Sequence, residues 1–287
     1  MKPSPFTYHR PTTVDDALLT LAQVGAHGKV LAGGQSLLPI LSMRLAAPEH
    51  LVDVNRLAEL DYVRAEPDGV RVGALARHAT VERDGPAAAV QPLLRQGLAL
   101  VAHPTIRNRG TTVGSLAHAD PSGELTAVLA LTGGRVTVAS STRRRDVPAS
   151  EFFLGPLESA VRPGELALEA YFPAPPPRSG TAFVEVARRH GDYAVAGLAA
   201  AAKVQGTTLS DLRLAFLSLG DRPLRARAAE AVLQAGPLSE ARIAEADAAL
   251  RAELDPFADL THSAAAKKQL AATLLRRAIA VMTKDAA

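Results

Sequence analysis

The 287 residues include no cysteine and no tryptophan. Without thiols the chain forms no disulfide, offers no thiolate nucleophile and supplies no thiolate ligand to zinc or to an iron–sulphur cluster. Any such cluster in its chemistry belongs to a partner. Aromatic residues make up only 4% of the chain, so alanine, valine and leucine build the interior. No run approaches the roughly 18 consecutive apolar residues of a membrane-spanning helix. Met1-Lys2-Pro3-Ser4-Pro5 lacks the apolar stretch of a secretory signal, so the expectation is a cytoplasmic chain without a membrane span. Charge of one sign is also scarce, with 32 basic against 29 acidic residues. Arg143-Arg144-Arg145 and Arg188-Arg189 stand apart without interleaved stacking aromatics, which argues against nucleic acid and reads the first run as a solvated loop. Neither G-x-G-x-x-G nor G-x-x-x-x-G-K-S/T occurs, which disfavours a Rossmann dinucleotide fold and a P-loop. The eight histidines have no metal-ligand spacing, and no Ser-His-Asp or paired-carboxylate arrangement nominates a catalytic residue.

What is present is a chain of 47% hydrophobic and 21% charged residues, long enough for two domains. Thr12 with Asp15 resembles a capping pair for a helix through Val24, and 29–32 and 51–54 read as strands of a small α/β unit. Short strands around an Asp68-Gly69 turn follow, then a mainly helical stretch over 81–101 and a buried helix over 124–131. Strands are expected over 135–138 and 165–172. The proline cluster beginning at Pro173 continues neither helix nor sheet and marks a domain boundary. Beyond it, 181–187, 194–204 and 212–219 read as antiparallel strands. Ile243, Ala246, Leu250 and Leu254 mark one helical stripe; Leu270, Leu274 and Val281 mark another on a helix capped by Ser263.

Two loops carry the chemistry. Ala32-Gly33-Gly34-Gln35-Ser36 follows a strand and precedes a helical turn at Leu37, where glycines let backbone N–H groups approach an anion closely. A Gly-Gly turn alone is common. Residues 110–121 are more specific, because Thr111, Thr112 and Ser115 add hydroxyls suited to phosphate, while Asp120 and Glu124 add carboxylates suited to sugar or ribityl hydroxyls. The plain alternative is that Thr111, Ser115 and Asp120 satisfy turns and a helix cap. His118, by the same reading, is a structural donor or packing residue.

These loops, with Ile106-Arg107-Asn108-Arg109-Gly110 and the run from Arg188 to Ala194, resemble the FAD-binding medium subunit of the molybdenum hydroxylases over nearly the whole chain. That family includes carbon monoxide dehydrogenase and bacterial xanthine, nicotine and other N-heterocycle dehydrogenases. Its first loop reads A-G-G-H/Q-S-L and its second R-N-R-G-T-I/V-G-G-S/N-L-A-H-A-D-P, astride the FAD pyrophosphate. The resemblance implies an α+β chain: a two-part α/β FAD-binding domain of the vanillyl-alcohol-oxidase/PCMH type over 1–176, with halves of about 1–57 and 58–176. A C-terminal domain over 177–287 would pack a three-stranded antiparallel sheet on helices. Ala32, Gly33, Gly34, Gln35, Ser36 and Leu37 would form one phosphate cradle, and Thr111, Gly114 and Ser115 the other. His118 and Asp120 fall in the same cofactor-binding loop, Glu124 near the ribityl chain, Leu166 where backbone approaches the flavin, and Tyr193 beside the isoalloxazine ring.

The resemblance further implies FAD on this chain, a molybdenum–pterin centre on a large subunit, iron–sulphur clusters on a small one, and a dimer of heterotrimers. FAD would pass electrons from the clusters to an external acceptor. Gln35 stands where carbon monoxide oxidisers carry histidine, which favours an N-heterocycle or aldehyde as substrate. Two positions depart from the pattern. Val113 replaces the first glycine of a Gly-Gly pair, so either that glycine is not needed for its conformation or the loop is reshaped; Val184 lies where some relatives carry a lysine near the flavin. A free-standing FAD-dependent oxidoreductase and a non-enzymatic interaction module remain as alternatives.

Overall fold

Three short strands, β1 (Thr7–His9), β2 (Gly28–Leu31) and β3 (His50–Asp53), make a parallel sheet in the order β1-β3-β2 in the computed structural model, which describes residues 2–285. Helices α1 (Val14–Val24) and α2 (Leu37–Ser42) connect them. Thr13, not Thr12, caps α1, its hydroxyl accepting the Asp16 N–H; both threonines satisfy the three-residue spacing, but Thr13 has the extended backbone of a cap. Ala17, Leu18, Leu21 and Val24 form the face that α1 buries.

Next comes a five-stranded antiparallel sheet. It contains β4 (Val63–Glu66), β5 (Gly69–Gly73), β6 (Arg135–Ala139) and β7 (Arg144–Pro148), and after the small β8 (Phe153–Gly155) and β9 (Glu158–Ser159) hairpin, β10 (Leu166–Pro173); its order is β4-β5-β10-β6-β7. The stretch expected to be mainly helical over 81–101 divides into α3 (His78–Arg83), α4 (Gly85–Val90) and α5 (Pro92–Leu98). Pro86 and Pro92 lie in the first turns of α4 and α5, where a missing N–H is tolerated, and Asp84 and Gln91 at the breaks cap these helices by accepting the Ala87 and Leu93 N–H groups. Helices α6 (Pro104–Arg107), α7 (Thr112–His118), α8 (Glu124–Thr132) and α9 (Ala149–Phe152) complete this part. The arginine run is not a loop, because Arg144 and Arg145 lie in β7, and Arg145 forks onto the buried Glu165 at 2.7 and 3.1 Å.

The C-terminal sheet runs β11 (Ser179–Ala187), β12 (Ala194–Gln205), β13 (Thr208–Leu217) and β14 (Leu224–Arg225). It therefore gains a two-residue fourth strand over the three expected, and β13 begins earlier than Leu212 because Gly206, at φ +59°, closes a tight turn to Thr208. One face, including Ala182, Leu198, Leu214 and Phe216, packs on α10 (Arg227–Gln234), α11 (Glu240–Glu253) and α12 (Ala264–Asp285). The other face, with Phe183, Ala199, Ala201 and Leu217, joins the core of the preceding residues. Helix α8 lies against that face and buries residues all around, from Leu125 to Leu131, rather than along one stripe. On α12 the buried stripe is Ala271, Leu274, Leu275, Ala278 and Met282; Val281 faces out, one position off the periodicity.

Candidate functional site

The first loop spans the gap from the end of β2 to the start of α2. Gly34 turns the chain there at φ +73°, a conformation that costs a residue with a Cβ. The N–H groups of Gly33, Gly34, Gln35 and Ser36 donate to no protein acceptor among the described residues, and the Ser36 hydroxyl makes no cap bond. The Gln35 amide donates to the Gly33 carbonyl at 3.1 Å, which braces the turn. In the second loop Thr111 caps α7, its hydroxyl accepting the Gly114 N–H at 3.2 Å. A Cβ on Gly114 would collide with that hydroxyl, so the glycine there protects the cap. The Thr111 N–H has no protein acceptor among the described residues. Val113 is helical and 1% exposed, packed in the core; the position needs no positive φ, and the first of the two sequence alternatives holds.

The two loops touch. A Cβ on Gly33 would lie 2.5 Å from the Arg109 carbonyl oxygen and 2.7 Å from the Gly110 Cα, so only glycine allows this approach. Asn55 and Arg77 tie the same junction together from below. The Asn55 amide donates to the Ala32 carbonyl at 2.8 Å, and Arg77 donates at 2.7 Å both to the Asn55 side-chain oxygen and to the Arg109 carbonyl. Asp53 accepts from the Asn55 backbone and side chain at 2.9 and 2.7 Å, and Tyr8 donates to its other oxygen. Beneath the second loop, His78 is 4% exposed, its N–H bonds the Gly110 carbonyl, and its ring meets the Thr112 hydroxyl at 3.2 Å. Burial pushes the His78 imidazole down to about 4, so it is neutral around pH 7. Sequence reasoning missed Tyr8, Asp53, Asn55, Arg77 and His78. Only Asp53-x-Asn55, an Asx-turn pattern, carried a local signal.

From Ser115 the site runs on along α7. The Ser115 hydroxyl neighbours Gly123, the residue before Glu124. Glu124 opens α8 at 6% exposure with no ion pair among the described residues; burial, aided by the Glu185 and Asp120 charges and opposed by a hydrogen bond from its own backbone N–H, pushes its carboxyl up to about 8. Asp120 accepts the Ser122 N–H at 2.9 Å, as its turn reading expected. His118 ends α7 half-buried, and burial lowers its pKa against the opposing pull of Asp120. Tyr193 precedes β12 with 61% of its surface exposed; partial burial of its phenol, then the Asp120 and Glu124 carboxylates, push it up to about 12. Leu166 opens β10 opposite Ala139 with its side chain in the core. Val184 pairs with Leu198 and packs on the α12 side of the sheet, so the next side chain, Glu185, lies on the opposite face with Phe183, the face that meets α5.

The arrangement therefore offers free amides at one end and carboxylates with an exposed aromatic at the other. Backbone amides and hydroxyls suit a phosphate or pyrophosphate. Among the described residues no cluster of His, Cys, Asp or Glu could hold a metal ion, and no helix is long and apolar enough to cross a membrane.

Residues 4–175 match the family model described as the FAD binding domain in molybdopterin dehydrogenase, and 181–282 match the CO dehydrogenase flavoprotein C-terminal domain. The chain is 39% identical over 282 residues to the alpha subunit of the 6-hydroxypseudooxynicotine dehydrogenase complex of Paenarthrobacter nicotinovorans, covering 98% of this chain and 95% of the relative. It is 36% identical to the carbon monoxide dehydrogenase medium chain of Hydrogenophaga pseudoflava, with 97% of each covered. A solved structure of carbon monoxide dehydrogenase from H. pseudoflava, one lacking the Mo-pyranopterin moiety of the molybdenum cofactor, contains a chain that superposes with a TM-score of 0.95 at 35% identity, covering both chains fully.

Proposed function

Because this chain belongs to the FAD-binding medium subunits of the molybdenum hydroxylases, we propose that its two touching loops hold the FAD pyrophosphate between them and fix where the flavin ring lies. FAD, when bound, accepts electrons that originate at a molybdenum–pterin centre and pass through iron–sulphur clusters on other subunits, and delivers them to an external acceptor. The absence of cysteine accords with clusters held elsewhere. The observation that carries the reading is the set of four consecutive unpartnered amides, Gly33 to Ser36, set against Thr111 across the Gly33 contact.

Ala32 to Leu37, with Thr111, Gly114 and Ser115, cradle the phosphates. His118, Asp120 and Glu124 line the ribityl side, and Tyr193 flanks the ring. Leu166 contributes backbone only, because its side chain is in the core. The residues fit the cofactor chemically: free N–H donors for the anion, carboxylates for hydroxyls, and an exposed phenol for a planar ring. Residues 1–176 form the FAD-binding domain and 177–287 the second domain, in a cytoplasmic dimer of heterotrimers with one large and one small subunit. Gln35, together with the similarity to a 6-hydroxypseudooxynicotine dehydrogenase subunit, supports an N-heterocycle or aldehyde as the substrate of the complex.

The test is FAD content in the purified complex carrying Ser36→Asp. Ser36 makes no cap bond, so the change adds a negative charge at the amides with little loss of packing. An assembled complex depleted of flavin is expected; full occupancy would overturn the assignment.

A further inference from the structure

A chain of polar contacts crosses the first sheet near the carboxyl ends of its strands. It begins away from the cofactor loops, at the half-exposed Tyr8 on the edge strand β1. The Tyr8 hydroxyl donates to one oxygen of Asp53, the buried last residue of β3. The other Asp53 oxygen accepts the Asn55 backbone N–H at 2.9 Å and its side-chain amide at 2.7 Å. That amide also donates to the Ala32 carbonyl at 2.8 Å, and its oxygen accepts from Arg77, which reaches on to the Arg109 carbonyl. Tyr8, Asp53, Asn55 and Arg77 thus link an edge strand to both loops.

The chemistry of these groups fixes the direction of the chain. An asparagine amide donates from one side and accepts on the other, whereas a carboxylate accepts only and a guanidinium donates only. Between Asp53 with the Ala32 carbonyl and Arg77, one orientation of the Asn55 amide satisfies every partner. Turned over, it would set its oxygen against two others and its N–H groups against Arg77. In a planar trans peptide the N–H points opposite to the C=O. By holding the Ala32 carbonyl, Asn55 therefore turns the Gly33 N–H the other way, and that N–H is the first of the unpartnered amides of the loop. Strands β1 and β3 have a second side-chain tie, between the His9 and His50 rings at 3.0 Å, which shares no hydrogen-bond partner with this chain of contacts.

We propose that Tyr8 and Asp53 are positioning residues for FAD, acting through Asn55 and Arg77 to aim the Gly33 amide and to set the spacing of the two loops. The proposal rests on the cofactor placement given above. Asp53 orients the Asn55 amide by accepting from it. Tyr8 holds the Asp53 oxygen that Asn55 leaves free, and so keeps the carboxylate turned towards Asn55. Affinity for the pyrophosphate then depends on a phenol that lies on a different strand from either loop.

The experiment measures the FAD dissociation constant of the purified complex, stripped of the cofactor and titrated with it. Tyr8→Phe is expected to weaken FAD binding about two- to tenfold, the worth of one hydrogen bond. Asp53→Ala is expected to weaken it further, and Tyr8→Phe to add nothing in that background, because the two residues act in series. Asp53→Asn, which still offers Asn55 an oxygen, should recover part of the loss. His9→Ala is the control: it cuts the other side-chain tie between β1 and β3 and is expected to leave FAD affinity unchanged. Wild-type affinity in Tyr8→Phe would overturn the proposal, as would additive losses in the double variant or no recovery in Asp53→Asn. A loss in His9→Ala equal to that in Tyr8→Phe would also overturn it, by assigning the effect to strand pairing. A Ser36→Asp complex with full flavin would remove the cofactor placement instead, so the two failures are told apart.

Discussion

Arg77 meets Asn55 at 2.7 Å, and that hydrogen bond joins the two loops: Asn55 holds the Ala32 carbonyl and Arg77 holds the Arg109 carbonyl. Neither residue belongs to a loop it holds. Replacing Arg77 by methionine leaves the part-buried Asn55 oxygen and the exposed Arg109 carbonyl without this donor, at about 0.5–1.5 kcal/mol for hydrogen bonds that water can partly replace. Every 1.4 kcal/mol or so felt at the cofactor site is about tenfold in affinity. A fluorescence titration of the FAD-stripped chain is therefore expected to show about two- to tenfold weaker FAD binding in Arg77→Met. Wild-type affinity would show that the strut does not shape the site.

Gly33→Val and Gly114→Val should both lower FAD content, through different faults. At position 33 the new side chain collides with the Arg109 and Gly110 backbone and pushes the loops apart. At position 114 it displaces the Thr111 hydroxyl and costs about 0.5–2 kcal/mol of helix cap. Neither acts simply by blocking the phosphate, so a lowered melting temperature should accompany the flavin loss. Flavin loss at unchanged thermal stability would show that these clashes are relieved at no cost.

Val113→Gly installs the glycine of the pattern that the second loop resembles. Here Val113 is buried in α7, so the substitution removes packing and adds a helix-interior glycine, together about 1.5–2.5 kcal/mol. Urea unfolding of the FAD-stripped chain should show that loss with no gain in FAD affinity.

His78 makes the fold acid-sensitive. Its folded value of about 4 lies below the ordinary 6.5, so the unfolded chain binds the proton more readily, and stability present above pH 6.5 is lost as the pH falls towards 4. Between about pH 7 and about pH 5 this amounts to about 2 kcal/mol. His78→Gln should remove that part of the acid dependence in urea unfolding. An identical pH profile in wild type and variant would show that the ring is already charged in the folded chain.

Glu124 acts in the opposite sense. Its folded value is raised, so the stability it contributes is full below about pH 4.5 and is lost as the pH rises to about 8. Glu124→Gln should raise the melting temperature of the FAD-stripped chain at about pH 8 more than at about pH 5.

Sequence pattern reached the parts whose signal is local. The Gly33-Gly34 turn, the Thr111 cap and the apolar run of α8 each lie within a few consecutive residues, and each appears where the pattern put it. The Arg77–Asn55 strut did not show, because its partners are 22 residues apart and meet only after β3 and the second loop have docked. Strands β1 and β14 are three and two residues long, too short for alternation to register. The faces taken by Val184 and Glu185 were not legible either, because they are fixed by the pairing of β11 with β12, and a one-residue change of register exchanges them.

Helix α8 is gripped by two sheets at once, β10 of one and β12, β13 and β14 of the other. Cutting the gene at the proline run to obtain a minimal cofactor-binding fragment would therefore strip one flank of that helix bare. Such a fragment would be sticky and blind to flavin, however neatly the family boundaries fall: the chain's two halves are separable on paper and share a single spine.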